Sequence, residues 1–272
     1  MSADLVPWLL AHAAIAAVVF ARTAGLAWTA PVLAAPGLDA RYRLLLAAAL
    51  GLIVAPAVVA AGGTAGRLEL DPGWLALGRT CVVEALVGAA LGWTAALVVA
   101  GARQAGDIVG SQAGLSSAAL FDPEAGEELS ALGHLYGLVA LGVFLALDGP
   151  LALVRALVES YHVIPAGGGG GALSPDVARF AFARVGDALA LALRAAAPVA
   201  VALALAGVAL GLLGRASPSF QRSALLLPVR ATLGLILVLF GLATVAAAVT
   251  TTWNAWPGPV FDFWPGLATG GR

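Results

Sequence analysis

The feature that most constrains this chain is a series of long apolar segments. They cover residues 5–35, 44–61, 74–102, 129–147, 177–213 and 223–253. Each is close to or above the roughly 20 residues that a helix needs to cross a bilayer. Of the 272 residues, 61% are hydrophobic and 11% are charged, and a soluble domain of this size could not bury that much apolar surface. The sequence predicts an all-α, polytopic membrane protein, with one integral-membrane domain over 1–253 and a short tail over 254–272.

The distribution of charge predicts an orientation in the membrane. All 14 basic residues are arginines, and the positive-inside rule places the loops that carry them in the cytoplasm. This rule requires two short limbs that enter and leave the membrane between Arg103 and Arg155, which is tolerated only where such limbs pack against protein. Because 15 acidic residues balance the arginines, the chain has no broad basic surface for nucleic acid.

The residue types that usually carry catalysis are sparse and scattered. His12, His134 and His162 are far apart, and none has the neighbouring glutamate of a zinc protease helix. The single cysteine, Cys81, lies in an apolar segment, which is typical of an inert buried thiol. We therefore expect no enzyme activity, no metal site and no cofactor.

Charged residues inside the apolar segments are a second group of candidates. Arg22, Glu84 and Asp187 interrupt segments that are otherwise apolar, and each would cost at least about 2.5 kcal/mol at the centre of a bilayer. In a transporter, Glu84 or Asp187 would bind a proton or coupling ion. In a structural protein, these acids would pair with arginines of neighbouring helices or of partner subunits. The sequence favours the structural interpretation, because proton relays usually place several acids on one path.

Glycine spacing gives a further signal. Gly106, Gly110 and Gly114 repeat every four residues and therefore share one stripe of a helix, where small residues allow another backbone to approach closely. Polar residues occupy the other faces of this segment, which suits a gate that is close-packed when shut and hydrated when open. The same spacing recurs at Gly88/Gly92, Gly133/Gly137 and Gly207/Gly211.

The glycine-striped segment resembles a known family. Residues 105–118, read as AGDIVGSQAGLSSA and followed by Asp122-Pro123, are similar to the signature of the FliR family, the flagellar biosynthetic proteins of the type III export apparatus related to the SctT proteins of injectisomes. Further agreement lies at Arg22 with Thr29-Ala30-Pro31, at Arg41 with Ala55-Pro56, at Gly149 with Ser160-Tyr161 and Pro165, and at Arg215, Pro218 and Pro228. The chain departs from the family pattern at Asp39, Pro150, Ser219, Gln221 and Arg222.

The resemblance implies a structural gate subunit, built from helical hairpins that assemble into a spiral complex in the bacterial cytoplasmic (inner) membrane, at the flagellar basal body. Its implied partners are FliP-, FliQ- and FlhB-like membrane proteins, membrane lipid, and unfolded flagellar subunits in transit. An injectisome gate subunit, and less favourably a solute or ion transporter, are the alternatives. By resemblance, the channel plug and its boundary are formed by Gly106, Gly110, Gln112, Gly114, Leu115, Ser116, Ala118, Phe121, Asp122 and Pro123.

Overall fold

The computed structural model describes residues 5–33, 39–60, 74–113, 131–167, 175–216, 226–258 and 260. Within these ranges the chain forms helices and no strand, which confirms the predicted all-α class. The helices are α1 (Leu5–Thr29), α2 (Ala40–Ala60), α3 (Trp74–Ala113), α4 (Ala131–Ala146), α5 (Gly149–Val163), α6 (Pro175–Ala216) and α7 (Leu226–Ala255).

Three of these helices are long and apolar enough to cross a membrane. They contain the continuous segments Trp74–Ala113, Val177–Leu212 and Thr232–Ala255, of 40, 36 and 24 residues. The pair α4 and α5 meets the same criterion only jointly, as a broken span or a re-entrant pair. The chain is thus a polytopic membrane protein, as its composition predicted.

A left-handed residue separates α4 from α5. Asp148 has φ 53°, a conformation that few residues other than glycine adopt. Its carbonyl oxygen accepts a hydrogen bond of 3.0 Å from the N–H of Ala152, and Pro150 lies in the first turn of α5, where a missing N–H costs no helical hydrogen bond. The break therefore follows from local sequence.

Helix α3 extends past Arg103, whereas the two short limbs between Arg103 and Arg155 stay a prediction, because residues 114–130 lie outside the described ranges. Residues 103–113, which are less apolar than the segment before them, continue α3 without interruption instead of forming a separate limb. No proline interrupts α3, and four of its glycines, Gly88, Gly92, Gly101 and Gly106, pack closely against other helices. Lower hydrophobicity alone does not end a helix.

The helices group into two compact units. The first combines α1, α2, α3 up to Ala96, α5 and the start of α6, whereas the second combines the rest of α3 with α4 and most of α6 and α7. In the first unit, α2 packs against α1 and α5. Trp256 and Val260, which fall in the predicted tail, are buried. The division into a domain over 1–253 and a tail over 254–272 stays a prediction, because residues 261–272 lie outside the described ranges.

Candidate functional site

A buried arginine organises the first unit. Arg22 lies on α1 among apolar side chains and is 0% exposed. Its Nε donates a hydrogen bond of 2.5 Å to Oε2 of Glu84 on α3, and Glu84 is also 0% exposed. Two opposite charges that are removed from water together and hydrogen-bonded directly avoid the large penalty of an isolated buried charge.

The remaining donors of Arg22 reach α5 and the turn that follows it. Nη1 donates to Oγ of Ser160 over 3.0 Å, and Nη2 donates to the carbonyl oxygen of Ile164 over 3.1 Å. The guanidinium carbon lies 3.9 Å from the ring centre of Tyr161, which is a favourable cation–π distance. We call Arg22, Glu84, Ser160 and Tyr161 the Arg22 cluster.

Glu84 extends the Arg22 cluster to the chain after α5. Its Oε1 accepts a hydrogen bond of 2.8 Å from the backbone N–H of Gly167. Gly167 has φ 85°, so the backbone there takes a conformation that glycine adopts at little cost. Both carboxylate oxygens are thus engaged, one by the guanidinium and one by the backbone that leaves α5.

Close packing of α1 on α3 makes this geometry possible. A Cβ atom on Gly25 would overlap the carbonyl oxygen of Ala85, and one on Gly88 would overlap the carbonyl oxygen of Arg22. Gly92 similarly faces Thr29, whose hydroxyl donates to the carbonyl oxygen of Ala89 over 2.9 Å. The two backbones are therefore in contact one turn from the Arg22–Glu84 pair, as expected for small residues at membrane helix crossings.

The second unit contains the described part of the predicted plug segment. Gly106 and Gly110 are buried on α3, and Gln112 is exposed near its end. A Cβ on Gly106 would overlap the backbone of Leu132 and Gly133 on α4, so α3 and α4 cross there with little space between them. The other predicted residues of the plug and its boundary lie outside the described residues: Gly114, Leu115, Ser116, Ala118, Phe121, Asp122 and Pro123.

The chain is similar in sequence to known bacterial export proteins. A family model described as bacterial export proteins, family 1, matches residues 13–256. The chain belongs to this family. The flagellar biosynthetic protein FliR of Escherichia coli K12 is 32% identical over 218 residues, 80% of each chain. That of Caulobacter vibrioides is 30% identical over 236 residues, 87% of this chain and 91% of the relative. The FliR protein of Bacillus subtilis is 24% identical over 188 residues. These matches confirm the resemblance to FliR.

The three charges predicted to be buried have different surroundings in this bacterial export protein. Arg22 and Glu84 lie together, whereas Asp187 is exposed on α6. The residues that the structure describes do not enclose Asp187. Burial of Asp187 stays a prediction.

Sequence reasoning missed the role of α5 in the Arg22 cluster. Ser160 and Tyr161 belong to the stretch that resembles the family, but nothing in their spacing links them to a residue on α1 that is 138 positions away. One sequence signal could have indicated this contact: a serine and a tyrosine stand at the end of an apolar segment, where a hydroxyl can hydrogen-bond to a buried charge.

Proposed function

We propose that this chain is the FliR-type membrane subunit of the flagellar type III export apparatus. In this proposal it lies in the cytoplasmic membrane at the flagellar basal body, assembles with FliP-, FliQ- and FlhB-like proteins into a spiral complex, and helps to close the channel for unfolded flagellar subunits. The observation that carries the proposal is the family match over residues 13–256, together with relatives named as flagellar biosynthetic proteins.

The Arg22 cluster supports a structural role for the first unit. Its hydrogen bonds join α1, α3 and α5 through buried side chains, and one more reaches the part-buried N–H of Gly167 after α5. A closed arrangement of this kind fixes the relative positions of three helices, which a gate needs if one segment is to move against a constant frame. The proposal therefore assigns Arg22 and Glu84 to scaffolding and not to catalysis.

The competing function is transport by the chain alone, which would require Glu84 to bind a proton or another ion. Both of its carboxylate oxygens already accept hydrogen bonds, from Arg22 and from the N–H of Gly167. An ion would have to displace a guanidinium that is itself buried, which disfavours a coupling site at this position.

Genetic complementation tests the flagellar proposal. Deletion of the gene should abolish swimming and the release of flagellar filament protein into the medium, and the wild-type gene should restore both. Deletion that leaves motility intact would refute a flagellar role. If an effector protein were lost from the medium in place of filament protein, the injectisome alternative would replace the flagellar one.

A glycine substitution tests the gate. Gly110 is buried on α3, so Gly110→Val should prevent close packing of the plug segment and should either raise ion leak across the membrane or block assembly. Gly142→Val on α4 is the matched control, because a Cβ there would have no atom within 4 Å. Normal motility without ion leak in the Gly110 variant would contradict the proposed plug.

A further inference from the structure

One side of α5 carries ionisable side chains that are open to the surroundings. Arg155, Glu159 and His162 are exposed, and their spacing of four and three residues places them on one side of the helix. The opposite side is buried and carries Ser160 and Tyr161 of the Arg22 cluster. Within the described ranges, none of the three exposed side chains forms an ion pair or a hydrogen bond. We call Arg155, Glu159 and His162 the polar face of α5.

The Arg22 cluster fixes the level of the polar face in the first unit. Ser160 and Tyr161 contact the guanidinium of Arg22. Two residues of the polar face, Glu159 and His162, adjoin them directly in the sequence, so they lie within about one helical turn of that contact. This part of the polar face is therefore at the level of the buried ion pair.

On α2 and α3 the surface of the first unit is apolar at this level. Four large side chains there are exposed: Leu52, Ile53, Val82 and Leu86. A Cβ on Gly51, which precedes Leu52, would lie 3.3 Å from Oγ1 of Thr23, the residue after Arg22. Val82 and Leu86 lie two residues before and two residues after Glu84. Arg79 is also exposed on α3, but helical side chains tilt toward the N-terminus, so its long side chain extends away from this level. The apolar surface suits lipid.

Lipid does not suit the polar face of α5. An ionised side chain in hydrocarbon is strongly unfavourable, and charged residues of membrane proteins face either protein or a water-filled cavity. Glu159 and His162 are too short to extend to a membrane surface as an arginine does. A protein neighbour would have to supply a separate complement for a cation, a carboxylate and an imidazole, whereas water hydrates all three. The chemistry of this face therefore favours water.

We propose that the polar face of α5 lines a water-filled space within the membrane, while Leu52 and Val82 at the same level face lipid. The Arg22 cluster then lies in the wall between the two environments, and its charges are paired inside that wall. The inference rests on the proposed channel and names the side of the first unit that meets water.

The test measures how fast single cysteines react with a reagent dissolved in water. Cys81 is the one cysteine of the chain, so Cys81→Ser provides a cysteine-free background. Glu159→Cys and His162→Cys then report on the polar face, and Leu52→Cys is the matched control at the same level. The full chain is co-expressed with FliP- and FliQ-like proteins, and membrane vesicles of both orientations are treated with a negatively charged maleimide that does not cross bilayers.

The two variants of the polar face should react about ten-fold or more faster than Leu52→Cys, because the thiolate that attacks the maleimide forms in water and not in hydrocarbon. After solubilisation in sodium dodecyl sulfate, all three variants should react alike, which controls for the amount of chain. Equal rates in intact vesicles, or a faster reaction of Leu52→Cys, would overturn the proposal.

Two comparisons separate the alternatives. Fast labelling of Glu159→Cys in the chain expressed alone, with slow labelling after co-expression, would assign the face to a partner subunit and overturn the proposal. Slow labelling under both conditions would also overturn it, because lipid or another part of the chain would then cover the face.

Failure of this inference is distinguishable from failure of the proposed function. A variant that restores swimming but labels slowly refutes only the water-lined face. A gene whose deletion leaves swimming intact refutes the flagellar role and leaves the labelling pattern unchanged.

Discussion

Removing the charge of Glu84 should destabilise the chain while leaving its shape intact. In Glu84→Gln, the guanidinium of Arg22 stays buried and loses its counter-charge, although its bonds to Ser160 and Ile164 remain. Breaking a buried pair in this way costs about 3–5 kcal/mol. Since the glutamine oxygen can still accept one hydrogen bond from Arg22 or from Gly167, we expect the lower end, about 3 kcal/mol.

Arg22→Met provides the second arm of a double-mutant cycle. Alone, it leaves the Glu84 carboxylate buried with only a backbone N–H, and it should cost about 3–5 kcal/mol. Combined with Glu84→Gln, no unbalanced charge remains, so the double variant should cost at least about 2 kcal/mol less than the sum of the single variants. The shortfall measures the coupling between the two side chains.

The assay is unfolding of the purified chain in mixed micelles with increasing sodium dodecyl sulfate, followed by tryptophan fluorescence. Glu159→Gln is the matched control, because Glu159 is exposed on α5 and its change should stay within about 0.5 kcal/mol of wild type. The reasoning fails if Glu84→Gln behaves like this control. It also fails if the effects of the single variants add without coupling.

Three further substitutions test the packing. Gly88→Val should lower the unfolding free energy by about 3 kcal/mol or more, because its side chain would overlap the backbone of α1; Gly207→Val, in open space on α6, should not lower it in the same micelle titration. Gly106→Ala should loosen the α3–α4 crossing and increase proteolysis between these helices, whereas Gly142→Ala should digest like wild type, and equal digestion of both variants would contradict the packing. Tyr161→Leu should lower the unfolding free energy by about 2–4 kcal/mol, because ring volume and the cation–π contact with Arg22 are lost. Tyr161→Phe should lower it by under about 1 kcal/mol, because the Tyr161 hydroxyl makes only a 3.5 Å hydrogen bond to a carbonyl oxygen. Similar losses for both variants in thermal unfolding would contradict a stabilising role of the ring.

The helices were predictable because their signals are local. The segments 129–147 and 177–213 correspond closely to α4 and α6, since an apolar stretch must form its own backbone hydrogen bonds in a membrane. The break before α5 has a local sequence signal, because Asp148 is followed by a glycine and a proline. Hydropathy did not predict that α3 continues to Ala113, although the glycine spacing placed Gly106 and Gly110 on a helix; the packing of Gly106 on α4 became visible only in the structure.

The Arg22 cluster shows the limit of sequence reasoning at the site. Arg22 and Glu84 stood out as charges in apolar segments, and pairing with an arginine was one of two open interpretations of Glu84. Their separation of 62 residues gave no means of matching one to the other. The use of the Gly167 N–H by Glu84 depends on where the chain turns after α5, which only the assembled helices define.

The sequence by itself determined that this is a helical membrane protein and that it resembles the bacterial export proteins. Both conclusions depend on the length of apolar segments and on local residue patterns. Only the tertiary structure decided that Arg22 is buried while Asp187 is exposed. It also decided that Gly88 packs against the backbone of α1 while Gly207 has no atom within contact distance. The physical reason is that these helices are apolar on nearly every side, so periodicity does not mark the packed face; the face is chosen by helices that are distant in sequence.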